Sequence, residues 1–313
     1  MPTPAARPAR APTNERPNAR LFHHSVYSPR RIANARARRG LSVSVCLPAR
    51  ECAHTVGHIV GRLARLRAAG ALDEIVVVDA ASRDGTAAVA ARAGARVYQE
   101  AELMPSYGPV LGKGDAMWRA LSVLGGELIC FLDADTESFS EHFLTGLVGP
   151  LLCEPGVSFV KGYYRRPLTA EGLSLADEGG RVNHLLARPA LALFYPPLAA
   201  VRQPLAGEVA ARRTLLERLP FTTGYGVEIG MLIDAWQEVG LDGIAQVDLE
   251  EHRNNHQPLS ALTSMAQTVL ATIAARLERE GRLAAVANAA ANGGPRLVGA
   301  PVERPPRVCV GVA

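Results

Sequence analysis

The apolar run that opens "ICFLDADTE" (129–137) ends on two aspartates one residue apart, Asp133 and Asp135. Alternation along a strand would put both side chains on one side near its end. Two close carboxylates in a partly buried site raise each other's pKa unless positive charge sits with them. A hard divalent cation with oxygen ligands resolves that conflict and can hold a diphosphate as well. The plainer alternative is that Asp135 caps a turn while Asp133 is solvated.

Other stretches carry candidate chemistry. In "LGKGDAMWRA" (111–120), glycines open a helix around Lys113, one of only two lysines in the chain; Lys161 is the other. Exposed N–H groups at a helix start, with a lysine, suit an anion. The spacing is not that of a P-loop, because Gly114 follows the lysine where Ser or Thr would stand. "KGYYRRP" (161–167) and "GGRVNHLLARP" (179–189) gather Lys161, Arg165, Arg166, Arg181 and Arg188 near one another in sequence. Guanidinium forks match carboxylates and phosphates, so an anionic small molecule is the expected guest, with a solvated basic face as the alternative. "GYGVEIG" (224–230) sets Glu228 in an apolar helical start between glycines, and a buried carboxylate there needs a partner. "EEHRNNH" (250–256) offers His252 and His256 after a strand, either as metal ligands or as structural histidines.

"FLDADTE" also meets a rival pattern. Haloacid-dehalogenase-type phosphatases carry D-x-D-x-T after an apolar strand, with the first aspartate as nucleophile. That signal opens its domain, whereas two strand–helix units precede it here, and no G-D-x-x-x-D follows. A nucleotidyltransferase would show a G-x-G-T-R loop after the first strand, which is missing.

The elements that must position these groups alternate. Apolar runs over 41–50, 73–82 and 127–135 are predicted strands; 54–66, 84–94 and 112–126 have helical spacing. Strands that are nearly all apolar imply a parallel sheet covered on both faces, an α/β fold. Ligands bind beyond the carboxyl ends of such strands, and Pro48–Cys52, Asp79–Ser82 and Asp133–Asp135 all fall on that edge. The later chain predicts a strand over 157–167, a helix over 178–194, a strand and short helix over 203–219, a helix over 224–240, a strand from 243 and a helix over 259–281.

The 313 residues suffice for one large α/β domain or two small ones. An apolar content of 48% with 20% charged residues is that of a globular protein. No apolar run approaches the roughly 18–20 residues of a membrane span, and no apolar segment follows the basic N-terminus as in a secretory signal. Five scattered cysteines lack a C-x-x-C; Cys46, Cys130 and Cys153 read as core residues, which points to a reducing cytoplasm. The net charge of +4 is a property of the tail: residues 1–40 hold nine arginines against one acid, Glu15, and the remainder is net acidic. Composition therefore predicts a disordered basic tail over 1–39, with "LFHHSVY" (21–27) docking on the body, a folded unit over 40–282, and a flexible tail over 283–313. Neither nucleic acid nor membrane is an expected partner.

Taken in order, P-A-R, V-D-x-x-S, G-K-G-x-A-x-W-R, D-x-D, K-x-Y-Y-R-R-P, G-G-R-V, A-R-P, Q-P-L-x-G-E, G-Y-G-V-E-I-G and I-A-Q-V-D-L resemble the glucosyl-3-phosphoglycerate synthases of actinobacteria and their mannosyl-3-phosphoglycerate synthase relatives. The resemblance runs from about residue 41 to 270. It implies a GT-A fold, a Rossmann-like nucleotide-binding sheet (about 40–150) plus an acceptor-binding region (about 151–282), in a dimeric, Mg²⁺- or Mn²⁺-dependent hexosyltransferase that retains anomeric configuration. The implied reaction moves a sugar, glucose from UDP-glucose, to the 2-hydroxyl of 3-phosphoglycerate; GDP-mannose is the alternative donor, and a nucleotide-binding degenerate enzyme the alternative of another class.

Carried over position by position, the resemblance implies that Pro48, Ala49, Arg50, Asp79 and Ser82 line the base and ribose. Lys113 meets the nucleotide, Asp133 the ribose or sugar, and Asp135 the metal that bridges the diphosphate. Gly180, Arg181 and Asn183 hold 3-phosphoglycerate, with Asn183 where the family has threonine. Glu228 contacts the donor sugar near its reacting carbon, with Tyr225 beside it. Cys52 replaces a family glutamate in the nucleotide-binding set, with Glu51 one place early. The metal-ligand histidine belongs to an H-R-N motif: His252 matches by motif, Asn254 takes the position in a gapless alignment and counts with the acceptor residues, and His256 follows.

Overall fold

The computed structural model describes residues 20–170, 173–175, 180–253, 259–283 and 301–310. In chain order the strands are β1 (Arg20–His23), β2 (Val43–Ala49), β3 (Glu74–Asp79), β4 (Arg96–Gln99), β5 (Leu128–Phe131), β6 (Phe159–Arg165), β7 (Leu168–Ala170), β8 (Leu173–Leu175), β9 (Val209–Arg212), β10 (Phe221–Thr222), β11 (Ile244–Glu251) and β12 (Glu303–Arg304). The α-helices are α1 (Pro29–Arg39), α2 (Ala53–Ala68), α3 (Thr86–Arg92), α4 (Lys113–Ala120), α5 (Glu141–Cys153), α6 (Arg188–Phe194), α7 (Arg213–Leu216), α8 (Val227–Val239) and α9 (Leu259–Arg279). Eight strands form one sheet in the order β1-β11-β6-β9-β5-β2-β3-β4. Every neighbouring pair is parallel except those of β9, which runs against both β5 and β6.

Both faces of this sheet are covered, which is why its central strands read as unbroken apolar runs. Val43, Val45 and Leu47 of β2 and Ile75 and Val77 of β3 enter the core with α2 and α5. Their alternates Cys46, Val76 and Val78 enter a second core with α4, α8 and α9. All five cysteines are free. Among the described residues, no helix is long and apolar enough to cross a membrane.

Residues 20–39 are folded: 21–27 dock on the body as expected, whereas the remainder to 39 is a helix and not the expected tail. β1 extends the sheet in parallel beside β11, pairing Phe22 with Val247. Tyr27, 1% exposed, lies against Gly149 of α5, where a Cβ would come within 2.2 Å of its ring. Ser28 caps α1 by accepting from the Arg31 N–H, Pro29 takes the first turn, and Gly40 closes it at φ +64°. Ile32 and Ala35, three residues apart, bury one face of α1 while most of its arginines stay in solvent. Composition drew attention to those arginines; the cap and the buried pair decide the structure. Residues 1–19 lie outside the described region.

The expected C-terminal tail also contains a packed segment. β12 pairs antiparallel with β10. The Arg304 guanidinium donates to both oxygens of the fully buried Asp115 at 2.7 and 2.6 Å, and to Tyr107 O at 2.9 Å. Arg119, equally buried, donates to Asp115 at 3.1 Å and to Leu103 O and Gly108 O at 2.7 Å each. The Trp118 indole donates to Pro305 O at 2.8 Å. This clasp fixes the loop leading into α4, and it comes from a buried ion network that no local pattern announces. Removing one partner of such a network strands charge on the other. Arg304→Ala is therefore expected to lower stability by about 3 kcal/mol, read as a lower urea midpoint at unchanged m value.

Candidate active site

The parallel strands β2, β3, β5, β6 and β11 deliver their carboxyl ends to one edge. The antiparallel β9 delivers its amino end there, which brings Glu208, just before Val209, alongside Phe131 and Lys161. The predicted strand over 127–135 is shorter than expected: β5 ends at Phe131, so both aspartates belong to the turn that follows. Their positions are therefore set by partners and not by strand alternation.

Asp133 receives the Lys113 ammonium at 2.5 Å, and the same ammonium reaches Glu228 Oε1 at 2.8 Å. Burial alone would lower the Lys113 pKa, but Asp133 and Glu228 outweigh it and hold the ammonium well above its ordinary range. Three glycines permit this approach. A Cβ on Gly207 would stand 2.3 Å from an Asp133 carboxylate oxygen. One on Gly114 would meet Thr222 O at 2.0 Å, and Gly112, at φ +88°, lies against Gly224. The G-K-G turn and the G-Y-G turn are thus pressed together with Lys113 and Glu228 facing between them.

Beside Asp133 lies a corner suited to a cation. Asp133, Glu208 and His252 each offer a ligand atom within 4.8 Å of the others. His252 Nε2 bonds Glu208 Oε1 at 3.0 Å and Thr136 Oγ1 at 3.1 Å, while Nδ1 is buried without a partner. Tyr164 stacks on the ring at 4.4 Å and donates its hydroxyl to Glu208 Oε2 at 2.8 Å. Burial pushes the Glu208 carboxyl up, but His252 and the Tyr164 hydroxyl overcome this and hold it at about 2. Asp135 makes no hydrogen bond or ion pair among the described residues. Its carboxyl is pushed up, first by burial and then by Asp133, against the pull of His252 and Lys113. Asp133, Glu208 and the His252 ring form an oxygen-rich set with one nitrogen, which fits Mg²⁺ or Mn²⁺, and Asp135, the expected ligand, is not among those three.

The nucleotide-side candidates cluster at the ends of β2 and β3. Asp79, 1% exposed, accepts from Ser82 N at 3.2 Å and Gln99 Nε2 at 3.0 Å, leaving Oδ1 buried without a partner. The Ser82 hydroxyl accepts from Glu51 N at 2.9 Å. Glu51 and Ala81 both hold left-handed backbone, at φ 52° and 53°, a strained conformation for either residue. Pro48 and Ala49 end β2, and Arg50 is exposed just beyond it. Cys52 is buried, its N–H donating to Thr86 Oγ1 at 2.8 Å, and burial pushes its thiol up to about 11. It is a neutral packing group where a carboxylate was expected from resemblance.

On the other side, Gly180, at φ +72°, starts a π-helical turn over Asn183–Ala187. The Asn183 amide donates to Arg202 O at 3.3 Å. Arg181 is half-buried on this turn, and Tyr225 is 58% exposed at the rim beside Glu228. Asn254 and His256 lie outside the described residues. The basic run is dispersed: Arg165 and Arg188 are exposed, whereas Lys161 is buried and donates to Ala206 O at 2.6 Å. Sequence reasoning gave no role to Glu208, Gly207 or Tyr164, although Q-P-L-x-G-E and Y-Y-R-R-P were both in view. A cleft of about 490 Å³ lined by Arg218, Asp234, Arg279 and Glu303 abuts the C-terminal segment and contains none of these groups.

A mostly parallel nucleotide-type sheet with carboxylates, a lysine and an imidazole at its edge is the architecture of the GT-A glycosyltransferases. The sequence model of Glycosyl transferase family 2 matches residues 44–173. The glucosyl-3-phosphoglycerate synthase of Mycolicibacterium smegmatis is 45% identical over 240 residues, covering 77% of this chain and 79% of that protein. The crystal structure of mannosyl-3-phosphoglycerate synthase from Rubrobacter xylanophilus superposes with a TM-score of 0.85 at 44% identity, over 93% of this chain and 97% of that one. That of glucosyl-3-phosphoglycerate synthase from Mycobacterium tuberculosis, in complex with Mn²⁺, UDP-glucose and phosphoglyceric acid, superposes with a TM-score of 0.79 at 37% identity, over 94% and 99%. The chain belongs to the glucosyl-3-phosphoglycerate synthase family.

The geometry makes two predictions. Gly207→Ala would drive a methyl group into the Asp133 carboxylate, so Mn²⁺ affinity should fall about 10- to 100-fold, measured by titration calorimetry. Burial, with Lys113 adding to it against Glu228, lowers the Lys161 pKa to about 8 from the 10.5 of the free side chain. A lowered lysine pKa costs stability while both states are protonated. As pH rises through the folded value, only the unfolded chain keeps the proton, and that cost is relieved. Between pH 7.5 and 9.5 the wild type should therefore gain about 2 kcal/mol relative to Lys161→Met, read from paired urea melts.

Proposed function

We propose that the protein transfers glucose from UDP-glucose to the 2-hydroxyl of 3-phosphoglycerate with retention of configuration, in a reaction requiring Mg²⁺ or Mn²⁺. The observation that carries this is one lysine, Lys113, bonded to both Asp133 and Glu228 beside a corner of carboxylates and imidazole, in a chain of this family. Asp135 and His252 would hold the ion, with Asp133 and Glu208 in reach. Bound there, it would supply charge neutralisation to the donor's diphosphate.

The chain's own groups do the rest. Pro48, Ala49, Arg50, Cys52, Asp79 and Ser82 line the base and ribose, with the unpartnered Asp79 Oδ1 as acceptor for a nucleoside donor group. Lys113, at the amino end of α4, stabilises negative charge developing on the leaving diphosphate. Glu228 supports the sugar as positive charge develops on it. Gly180, Arg181, Asn183 and Tyr225 hold the acceptor. The anomeric carbon–diphosphate bond breaks, the acceptor hydroxyl attacks from the same face, and its proton passes to the leaving phosphate oxygen. Among the described residues no second carboxylate stands out as a nucleophile on the opposite face. The first half of the fold, about 40–150, serves the donor and the second, about 151–282, the acceptor. Exposed Leu185 and Leu193 on the turn and helix around α6 support a homodimer contact. Five free cysteines support a cytoplasmic setting.

GDP-mannose is the second reading, favoured by the 44% identity to a mannosyl-3-phosphoglycerate synthase and by Cys52. A panel of UDP- and GDP-sugars with 3-phosphoglycerate, with and without Mg²⁺, separates the readings. UDP release and a glucosylated product are expected with UDP-glucose alone, abolished by EDTA. Glu228→Gln should lower kcat at least about 100-fold. Near-full turnover of that variant, or a trapped glycosyl–enzyme adduct, would overturn the same-face route.

A further inference from the structure

A second group of ligand-type side chains stands at the outer edge of the sheet, away from the chemistry just described. His23 ends β1, His24 opens the short turn after it, and Glu250 lies near the end of β11. The parallel register sets His23 opposite Asp248. Each of the three offers a ligand atom within 4.8 Å of the others. His24 Nε2 already meets Glu250 Oε1 at 2.9 Å, and the His23 and His24 rings lie 4.4 Å apart.

The surroundings support each member. His142 stacks under His24 at 4.1 Å, with Nδ1 bonded to Ser140 Oγ at 2.5 Å and Nε2 to Leu249 O at 3.1 Å. Both its nitrogens are therefore engaged, and it serves as a wall and not as a ligand. His23 Nδ1 lies 2.8 Å from Ser25 Oγ and accepts from the Ser25 N–H at 3.2 Å, while Nε2 has no protein partner among the described residues. In that tautomer Nε2 carries the ring proton, so a metal on Nε2 requires the proton to sit on Nδ1, donated to Ser25 Oγ, with the Ser25 N–H released. Glu250 has left-handed backbone at φ 66°, with its N–H donating to Asp248 Oδ1 at 2.9 Å. The register with β6 slips between Asp248 and Glu251, so a bulge re-aims this stretch. A glutamate held in strained backbone beside two imidazoles has no role in the transfer reaction proposed above.

We propose that His23, His24 and Glu250 form a second metal site, for Zn²⁺ or a similar borderline transition ion. Two imidazoles and one carboxylate with a water complete a tetrahedral zinc sphere. Imidazole donors select against the hard Mg²⁺ and Ca²⁺ ions, so this site differs in preference from the oxygen-rich corner at Asp133. Zn²⁺–ligand bonds of about 2.0–2.2 Å need donors roughly 3.4 Å apart, so modest side-chain rotation closes the set. An ion there would tie β1 to β11, the strand that leads into His252.

The test uses the full chain without an affinity tag. Zn²⁺ bound per chain and its affinity are measured by titration calorimetry in saturating Mg²⁺ for wild type, His23→Ala and Glu250→Gln. Both substitutions are on exposed side chains, and neither belongs to the transfer machinery, so turnover with Mg²⁺ should be unchanged. The expected result is that one Zn²⁺ equivalent in wild type is lost, or weakened at least about tenfold, in each variant. The Zn²⁺-dependent rise in melting temperature should shrink with it. Equal Zn²⁺ stoichiometry and affinity in all three proteins would overturn the proposal. So would a wild type whose Zn²⁺ uptake Mg²⁺ suppresses entirely.

Discussion

The contact on which this structure turns is a single ammonium between two carboxylates. Lys113 lies 2.5 Å from Asp133 and 2.8 Å from Glu228, groups that follow it by 20 and 115 positions in the chain. Each of those carboxylates would be costly in a half-buried site without it. Together they bind the G-K-G turn, the end of β5 and the start of α8 into one unit. Any displacement of α4 would break two ion pairs at once, so the fold must hold that helix tightly.

It does so from both sides. Toward the site, Gly112 and Gly114 allow the loop at Thr222–Gly224 to press against α4. Away from it, Asp115 is anchored by Arg119 and Arg304, whose remaining donors gather the carbonyls of the loop from Leu103 to Pro109. Arg276, fully buried, bonds Asp234 and Thr222 and so locks α9 and α8 to the same strand pair. The result is a buried polar network directly behind the site. Such a network is rigid while every member is satisfied and loses much of its value when one is removed.

This division explains what the sequence made legible. Buried parallel strands need apolar residues on both faces, so β2, β3 and β5 stood out, and with them the edge where ligands bind. The G-K-G turn, the paired aspartates and Glu228 were visible because polar groups interrupt apolar runs there. Glu208 was not, because its place depends on β9 running backwards: only reversal brings the residue before a strand to the edge where other strands end. Arg304 was hidden by distance, since 189 positions separate it from Asp115. Residues 20–39 were obscured for another reason. Arginine-rich composition resembles disorder, yet two apolar contacts and a well-capped helix suffice to dock it on a sheet whose edge needs cover.

The charge count at the site has a thermodynamic consequence. Asp133, Asp135, Glu208 and Glu228 face Lys113, Lys161 and His252, and the Lys161 ammonium is weakened by burial. With four carboxylates against at most three cations the site is net negative before any ligand enters, and Asp135 is its least compensated member. An incoming diphosphate adds negative charge to that balance, whereas a divalent cation removes it. On the proposed function each ligand relieves the electrostatic cost of the other, so the two affinities must rise together and by the same factor. The paired aspartates are then not a flaw tolerated at the end of a strand. They keep the empty site poor at holding anions, so that nucleotide is bound tightly only in company with the ion.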